Sequence, residues 1–289
     1  MPHHLGAFPS AGPCKFSIIV ILLVCRLLAA DHWSRLLNKI HCPLAMDLKG
    51  PRVVQFSDFE ALSFDCYGTL IDWETGIWNA LQPIVVRSQL SVKREEALVA
   101  FAELESAAQA SRPTQFYPHL LTSILPHIAE RFDVVASEED AAAFGASVGL
   151  WPAFPDAASA LRRLGKRYKL IILSNVDVAS FCQSAKRLEA PFDYVFTAQE
   201  IRSYKPNPAN FDFMESRLEE VGITKTKTLH VAQSLFHDHQ EATRQGYATC
   251  WIDRRQGSGW GATKEIDNMP KTDWAFPSMS SFADAVENE

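Results

Sequence analysis

What this chain lacks narrows its class before any motif is read. It has no run of about 20 apolar residues, the length that crosses a bilayer as a helix. Its six cysteines form no C-x-x-C pair and keep no regular spacing, so neither a zinc ribbon nor a disulfide framework is suggested. There is no N-x-S/T sequon, no internal repeat and no low-complexity segment. Positive charge is in deficit, with 28 Lys and Arg against 34 Asp and Glu for a net charge of −6, and no polybasic run occurs. That excludes an electrostatic nucleic-acid footprint. What remains is 289 residues, 47% hydrophobic and 21% charged. This is an ordinary globular mix with ample length for a buried core, in one large domain or one domain with an insert.

The first forty-five residues do not read as globular. Phe16 to Cys25 is a ten-residue apolar run, broken by Arg26 and followed by Leu27-Leu28-Ala29-Ala30. It is too short to span a bilayer and resembles the apolar core of a signal peptide. The first reading is a non-structural prelude, 1–45, with Met46 beginning a compact protein about ten residues before the first strand. On that reading the protein is cytoplasmic. Secretion or membrane anchoring through residues 16–30 is the competing reading.

From Phe59 onward the pattern is one strand, a helical block, then strands alternating with helices. Ala61 to Cys66 is a short apolar strand that reaches a carboxylate and a Gly-containing turn. Residues 74–151 show helical spacing: Ile77, Leu81, Ile84; Leu98, Phe101, Leu104; Leu120, Leu121, Ile124, Leu125, Ile128. Asp156 is placed as the N-cap of a helix running to Lys166. Apolar runs at 169–173, 194–196, 229–232 and 248–252 alternate with helical segments. Continuous apolar strands of this kind predict an α/β fold, a doubly wound parallel sheet covered on both faces. The core is assigned to 56–73 and 152–289, with 74–151 as an inserted helical cap.

In an open parallel sheet ligands bind beyond the carboxyl ends of the strands. Polar residues gather there: Asp65-Cys66-Tyr67-Gly68-Thr69-Leu70, then Ser174-Asn175, then Lys205-Pro206, then Gln233-Ser234 with Asp238 beyond. This order of acid, hydroxyl, amine and second acid resembles the haloacid dehalogenase superfamily of hydrolases over roughly residues 56–255. The resemblance implies that Asp65 is a nucleophile, Lys205 its charge partner, and Asp238 the group that orients water. Thr69, Ser174 and Asn175 would hold a small anionic substrate, with Tyr67 beside them.

Two chemistries in that superfamily share the aspartate nucleophile. A phosphatase needs Mg²⁺ to offset repulsion between two anions, and usually a second aspartate two residues after the first. A 2-haloacid dehalogenase attacks carbon, forms an ester and needs neither. Here the discriminating residue is Tyr67, a phenol unsuited to proton shuttling at neutral pH, and Gln233 replaces an acid of the fourth motif. Both point to hydrolytic dehalogenation of a small 2-haloacid without a cofactor. The alternative is an Mg²⁺-dependent phosphatase of a small phosphomonoester, with the ion on Asp65, Asp238 and the Tyr67 carbonyl. A non-catalytic relative that binds an anion or a partner through the cap is the third reading.

The sequence departs from the dehalogenase pattern in places. Alanine, Ala100, stands where an early cap arginine cradles the halide, leaving Arg112 or Arg87 as substitutes; Phe211, Gln233 and Leu235 replace three further polar residues. Gly145-Ala146-Ser147-Val148-Gly149 matches the nucleophile-elbow pattern, yet helical residues precede it and Trp151-Pro152 follows, so it reads as the end of the cap. His237 and His239 flank Asp238 and read as surface or supporting histidines, since neighbours on a helix point apart. Trp73, Trp78, Phe116, Tyr117 and Trp151 are candidates for an apolar pocket under the cap. Relatives with such a cap often dimerise, so a homodimer is carried as an expectation.

Overall fold

The computed structural model describes residues 54–289; the prelude assigned to 1–45 lies outside them. The apolar runs become five strands of a six-stranded sheet: β1 (Ala61–Phe64), β2 (Lys169–Ser174), β3 (Tyr194–Thr197), β4 (Thr228–Ala232) and β5 (Ala248–Ile252). A sixth, β6 (Trp274–Phe276), was not predicted. The order is β3-β2-β1-β4-β5-β6 and every pair is parallel. Strand order reverses between β1 and β4, where a doubly wound sheet opens its binding crevice. Each residue of β1 and β4 is buried, which is why these strands read as unbroken hydrophobic runs.

The turn after β1 sets up everything that follows. Gly68 takes φ +98°, a conformation that L side chains rarely adopt, and the Leu70 and Ile71 N–H groups both donate to the Cys66 carbonyl. The chain then leaves the core at Ile71–Asp72 and comes back at Pro152–Phe154. Exit and return lie side by side: Asp72 N donates to Pro152 O (2.8 Å) and Phe154 N to Leu70 O (3.0 Å).

Four helices fill the insertion: α1 (Trp73–Arg87), α2 (Arg94–Ser111), α3 (Tyr117–Arg131) and α4 (Glu138–Ala146). Asp72 caps α1 by accepting from Thr75 N, and Ser137 caps α4 by accepting from Asp140 N. α1 buries Trp73, Ile77, Leu81 and Ile84, and α3 buries Leu120, Leu121, Ile124, Leu125 and Ile128, the apolar stripes seen in the sequence. Ser147 of the elbow-like motif donates to the Phe144 carbonyl and accepts from the Trp151 indole, closing the end of the cap.

In the core, α5 (Ala157–Leu164), α6 (Val178–Leu188), the single turn α7 (Ala198–Ile201), α8 (Ala209–Glu219), the short α9 (Gln240–Arg244) and α10 (Met279–Glu287) cover the sheet. Asp156 precedes α5 as expected but does not cap it; its carboxylate is taken by Arg254 (2.9 and 3.0 Å) and Ser280 N. No helix among the described residues is long and apolar enough to cross a membrane.

Candidate active site

Asp65 follows the last residue of β1 and is 6% exposed. Thr69 Oγ1 donates to its Oδ2 (2.9 Å), and Lys205 Nζ donates to its Oδ1 (2.9 Å). Lys205 lies between α7 and α8 and is fully buried. Its three ammonium hydrogens are spent on Asp65, Asp238 Oδ1 (2.6 Å) and the Leu173 carbonyl (2.8 Å). Asp238 sits in a tight, wide-turn helical segment, Leu235–His239, that Ser234 Oγ caps by accepting from His237 N (3.0 Å). One ammonium is thus shared by two carboxylates out of water, a geometry in which charge pairing decides each protonation state.

Burial pushes the Asp65 carboxyl up, and Lys205 pulls it back. Asp238 feels the same burial, yet Lys205 and the His230 ring hold it well below the usual carboxylate range. For Lys205 burial opposes the charge, and the two carboxylates overcome it and raise the ammonium above its ordinary value. Behind Asp238 a polar chain runs into the sheet: His230 Nε2 meets Asp238 Oδ1 (3.0 Å) and His230 Nδ1 meets Ser63 Oγ (2.9 Å). An ionised carboxylate only accepts, so Nε2–H donates and Nδ1 takes the Ser63 hydrogen. His230 lies inside the apolar run 229–232, and the β4–β1 register places it directly beside Ser63.

These groups face a small cavity lined by Asp65, Tyr67, Trp73, Glu105, Tyr117, Ser174, Asn175, Lys205, Ser234, His237 and Asp238. About 30 Å³ of it is open to the centre of a water-sized sphere. Since one water needs about 10–15 Å³ by this measure, the space suits only a very small molecule. Four lining residues carry a buried polar atom with no hydrogen-bond partner: Ser174 Oγ, Asp238 Oδ2, His237 Nε2 and Glu105 Oε2. Unsatisfied buried groups are individually costly, so four around one cavity mark a place built to receive something polar.

Several predicted residues stand elsewhere or do other work. Arg112 is exposed at the end of α2, and Arg87 pairs with Asp140, so among the described residues no arginine lines the cavity. Thr69 does not line it either; besides holding Asp65, its hydroxyl accepts from Gln233 N (2.9 Å). Asn175 spends its side chain on the Lys205 backbone, accepting from Lys205 N (2.7 Å) and donating to Lys205 O (3.0 Å). The Tyr67 hydroxyl pairs with Ser184 Oγ (2.9 Å), and burial pushes the phenol well above its usual value, which rules it out as a proton shuttle. Of the aromatic group, Trp73 and Tyr117 line the cavity. Trp151 packs edge-on against Tyr67 at 5.7 Å, Trp78 is part of the cap's packing, and Phe116 is exposed. His237 and His239 are both buried, not at the surface; His239 contacts the Ala232 carbonyl and His237 lines the cavity. Burial pushes each ring down to about 4, so both are neutral at pH 7.

The groups that would hold a magnesium ion are Asp65, Asp238 and the Tyr67 carbonyl, and two of them already have other partners. Both Asp65 oxygens already accept hydrogen bonds, Asp238 offers one unpartnered oxygen, and Gln233 turns its side-chain oxygen to Thr263. Among the described residues no group of three His, Cys, Asp or Glu is placed to hold a metal.

A family model described as haloacid dehalogenase-like hydrolase matches residues 59–232, and the chain belongs to that family. It is 26% identical over 202 residues to haloacetate dehalogenase H-2 of Moraxella sp. (strain B), covering 68% of this chain and 86% of that one. It is 29% identical over 120 residues to (S)-2-haloacid dehalogenase of Pseudomonas putida, covering 40% of this chain and 49% of that one. Among solved structures it is similar to the L-2-haloacid dehalogenase of Xanthobacter autotrophicus with chloropropionic acid covalently bound. That match has a TM-score of 0.62 and 19% identity, over 79% of this chain and 98% of that one. The putative hydrolase YfnB of Bacillus subtilis, bound to magnesium, matches with a TM-score of 0.63 at 12% identity, covering 79% of this chain and 99% of that one. The chain is thus a haloacid dehalogenase-like hydrolase with the fold of that family.

Proposed function

We propose that this hydrolase removes halide from a small 2-haloacid through an ester on Asp65. The observation that carries the reading is the state of the two residues at the end of β1. Asp65 is a carboxylate aimed at the cavity and steadied by Lys205 and Thr69, while Tyr67 is locked to Ser184. A phosphoryl leaving group needs a proton donor, and a halide does not. An Asp65 oxygen attacks the halogen-bearing carbon; the carbon–halogen bond breaks and the halide leaves with the electron pair. Water then adds to the ester carbonyl, giving one proton to the unpartnered Oδ2 of Asp238; the ester C–O bond breaks, the departing alkoxide takes that proton back to leave as a 2-hydroxy acid, and loss of the remaining proton to solvent restores the Asp65 carboxylate. Lys205 and His230 keep Asp238 ionised, so its Oδ2 is open to accept that proton.

Halide release from 2-chloropropionate, with EDTA and with added Mg²⁺, tests the reading against phosphate release from p-nitrophenyl phosphate. Halide release that survives EDTA and disappears in Asp65→Asn is the expected result. A single turnover in ¹⁸O-water followed by a second in ordinary water should carry label from Asp65 into the product. Phosphate release only with Mg²⁺, or silence with both substrates, would overturn it.

A further inference from the structure

The cavity wall opposite the sheet contains a carboxyl group that the mechanism above leaves unused. Glu105 is in the middle of α2, one turn after Phe101 and one before Gln109, on the stripe Ala97–Phe101–Glu105–Gln109 that the helix buries. It is 2% exposed, lines the cavity with Asp65 and Ser174, and is paired with no cation. Gln109 Nε2 donates to Glu105 Oε1, and the Gln109 oxygen is in turn 3.4 Å from Asn175 Nδ2, whose amide grips the Lys205 backbone. With Oε1 taken by Gln109, Oε2 is buried with no hydrogen bond of good geometry, and the Tyr117 hydroxyl is close enough to act on the same carboxyl.

We propose that Glu105 is the cap's grip on the substrate, its Oε2–H donating a hydrogen bond to the substrate's carboxylate. The inference rests on the dehalogenase reading only in taking the ligand to be a small carboxylate. Charge arithmetic supports it. Asp65, Asp238 and Lys205 already sum to one negative charge, so an ionised Glu105 would place a third carboxylate against an anionic ligand in low dielectric. A protonated one turns the same residue into a donor at the place where no arginine is present. Burial pushes the Glu105 carboxyl up to about 8, with the polar hydrogens of Tyr117 and Gln109 drawing it part of the way back.

The other titratable groups around Glu105 are moved from their ordinary values as well. On α3, burial raises Tyr117 well above its usual value; on the loop before Lys205 burial raises Tyr204, and Tyr67 is raised as well. Across the cavity are Asp65, Lys205, Asp238 and neutral His237. Glu105, raised to about 8, falls inside the range from pH 6 to pH 9.5.

The test uses propionate, which has the carboxylate and no leaving group, titrated calorimetrically into the described enzyme at pH 6 and pH 9.5. Wild type is expected to bind about thirtyfold more weakly at the higher pH, the loss that follows from a group of pKa near 8 that must carry a proton. Glu105→Gln, whose amide donates without titrating, should bind within a few fold of wild type at pH 6 and lose the pH dependence. Glu105→Leu should bind at least tenfold more weakly at pH 6, with an unchanged circular dichroism spectrum showing that it folds. Propionate binding that is flat with pH in wild type, undetectable at both values, or unaffected in Glu105→Leu would overturn the proposal. Halide release from 2-chloropropionate, run alongside, separates the two readings. Release with flat propionate binding leaves dehalogenation standing and removes Glu105; no release with pH-dependent binding does the reverse.

Discussion

Lys205→Met should be among the most destabilising single changes in the core, and its cost should shrink in acid. The substitution keeps the length of the side chain while removing hydrogen bonds to Asp65, Asp238 and Leu173 O, all between 2.6 and 2.9 Å. Two buried carboxylates lose their common countercharge, with only Thr69 left on Asp65 and His230 on Asp238. Breaking a buried pair from one side costs about 3–5 kcal/mol, and two stranded acids place this case at the upper end. Urea unfolding at pH 8 reads it directly: with a slope of about 2 kcal/mol per molar, the midpoint falls by about 2 M. The pH dependence follows from proton counting. In wild type Asp238 is held low, so its contribution is present above the unfolded carboxyl value and lost only as pH falls toward its folded one. In the variant both acids rise, the folded state takes up protons near neutrality, and the deficit narrows between pH 8 and pH 5. Adding Asp238→Asn should recover about half of the loss. A single-variant cost below about 1 kcal/mol, or a deficit that does not narrow in acid, would refute the argument.

Three further expectations follow from the same geometry. Gly76→Ala should lower stability by about 1–3 kcal/mol in thermal or urea unfolding, because a Cβ there would overlap the Trp151 indole, which is itself buried and bonded to Ser147. Thr69→Val should slow halide release and move the acid limb of its pH profile upward: the lost Thr69 hydrogen bond favoured ionised Asp65, so removing it raises the carboxyl. His237 and His239 are buried neutral at about 4, so the unfolded chain binds more protons between there and 6.5 and stability falls as pH drops through that window, by about 3 kcal/mol for each ring. Glu105, raised to about 8, works in the opposite direction from pH 4.5 upward, so the histidine effect is best measured by urea unfolding at pH 7 and pH 4.5 in Glu105→Gln, with His237→Asn halving it.

The nucleophile end of the site was readable because parallel sheets place strand ends together. Once 61–66, 169–173 and 229–232 are assigned as strands, Asp65, Ser174 and Asp238 have to meet at one rim, and Lys205 follows from motif order. Which atoms those side chains use was not readable. Thr69 and Asn175 look like substrate ligands by type and place, but Thr69 lies off the cavity with its hydroxyl on Asp65, and Asn175, though it lines the cavity, spends its side chain on the Lys205 backbone. β6 was missed because three residues, Trp274–Phe276, give no period to count. Glu105 was missed for a different reason. It is one of two glutamates in Phe101-Ala102-Glu103-Leu104-Glu105, and composition makes both look like solvated face. Helical phase separates them: Glu103 pairs with Arg131 near solvent, whereas Glu105 falls on the buried stripe with Ala97, Phe101 and Gln109. An acid in phase with an apolar stripe was the available signal, and His230, in an apolar strand, was another.

The loss of the cap arginine and the burial of Glu105 have one physical consequence in common. Ala100 is itself buried in α2 and Arg112 is exposed at its end, so among the described residues no cap arginine or lysine lines the cavity with Asp65. A guanidinium would hold an anion at any pH the protein survives. A carboxyl group held neutral by burial does so only while its proton stays, and that proton is retained because the surrounding wall is low in dielectric. Wetting the cavity would strengthen the case for ionised Glu105 and weaken its hold on an anion together. The cap's hydrogen bond to Asn175 through Gln109 therefore matters beyond its 3.4 Å length, since it runs from the wall that keeps Glu105 dry to the clamp that positions Lys205. Gln109→Ala removes a hydrogen bond that favours ionised Glu105, so it should raise the Glu105 value and shift the alkaline loss of propionate binding to higher pH, while a shift toward neutral pH would show that the substitution wets the cavity and that drying by Gln109 outweighs its hydrogen bond.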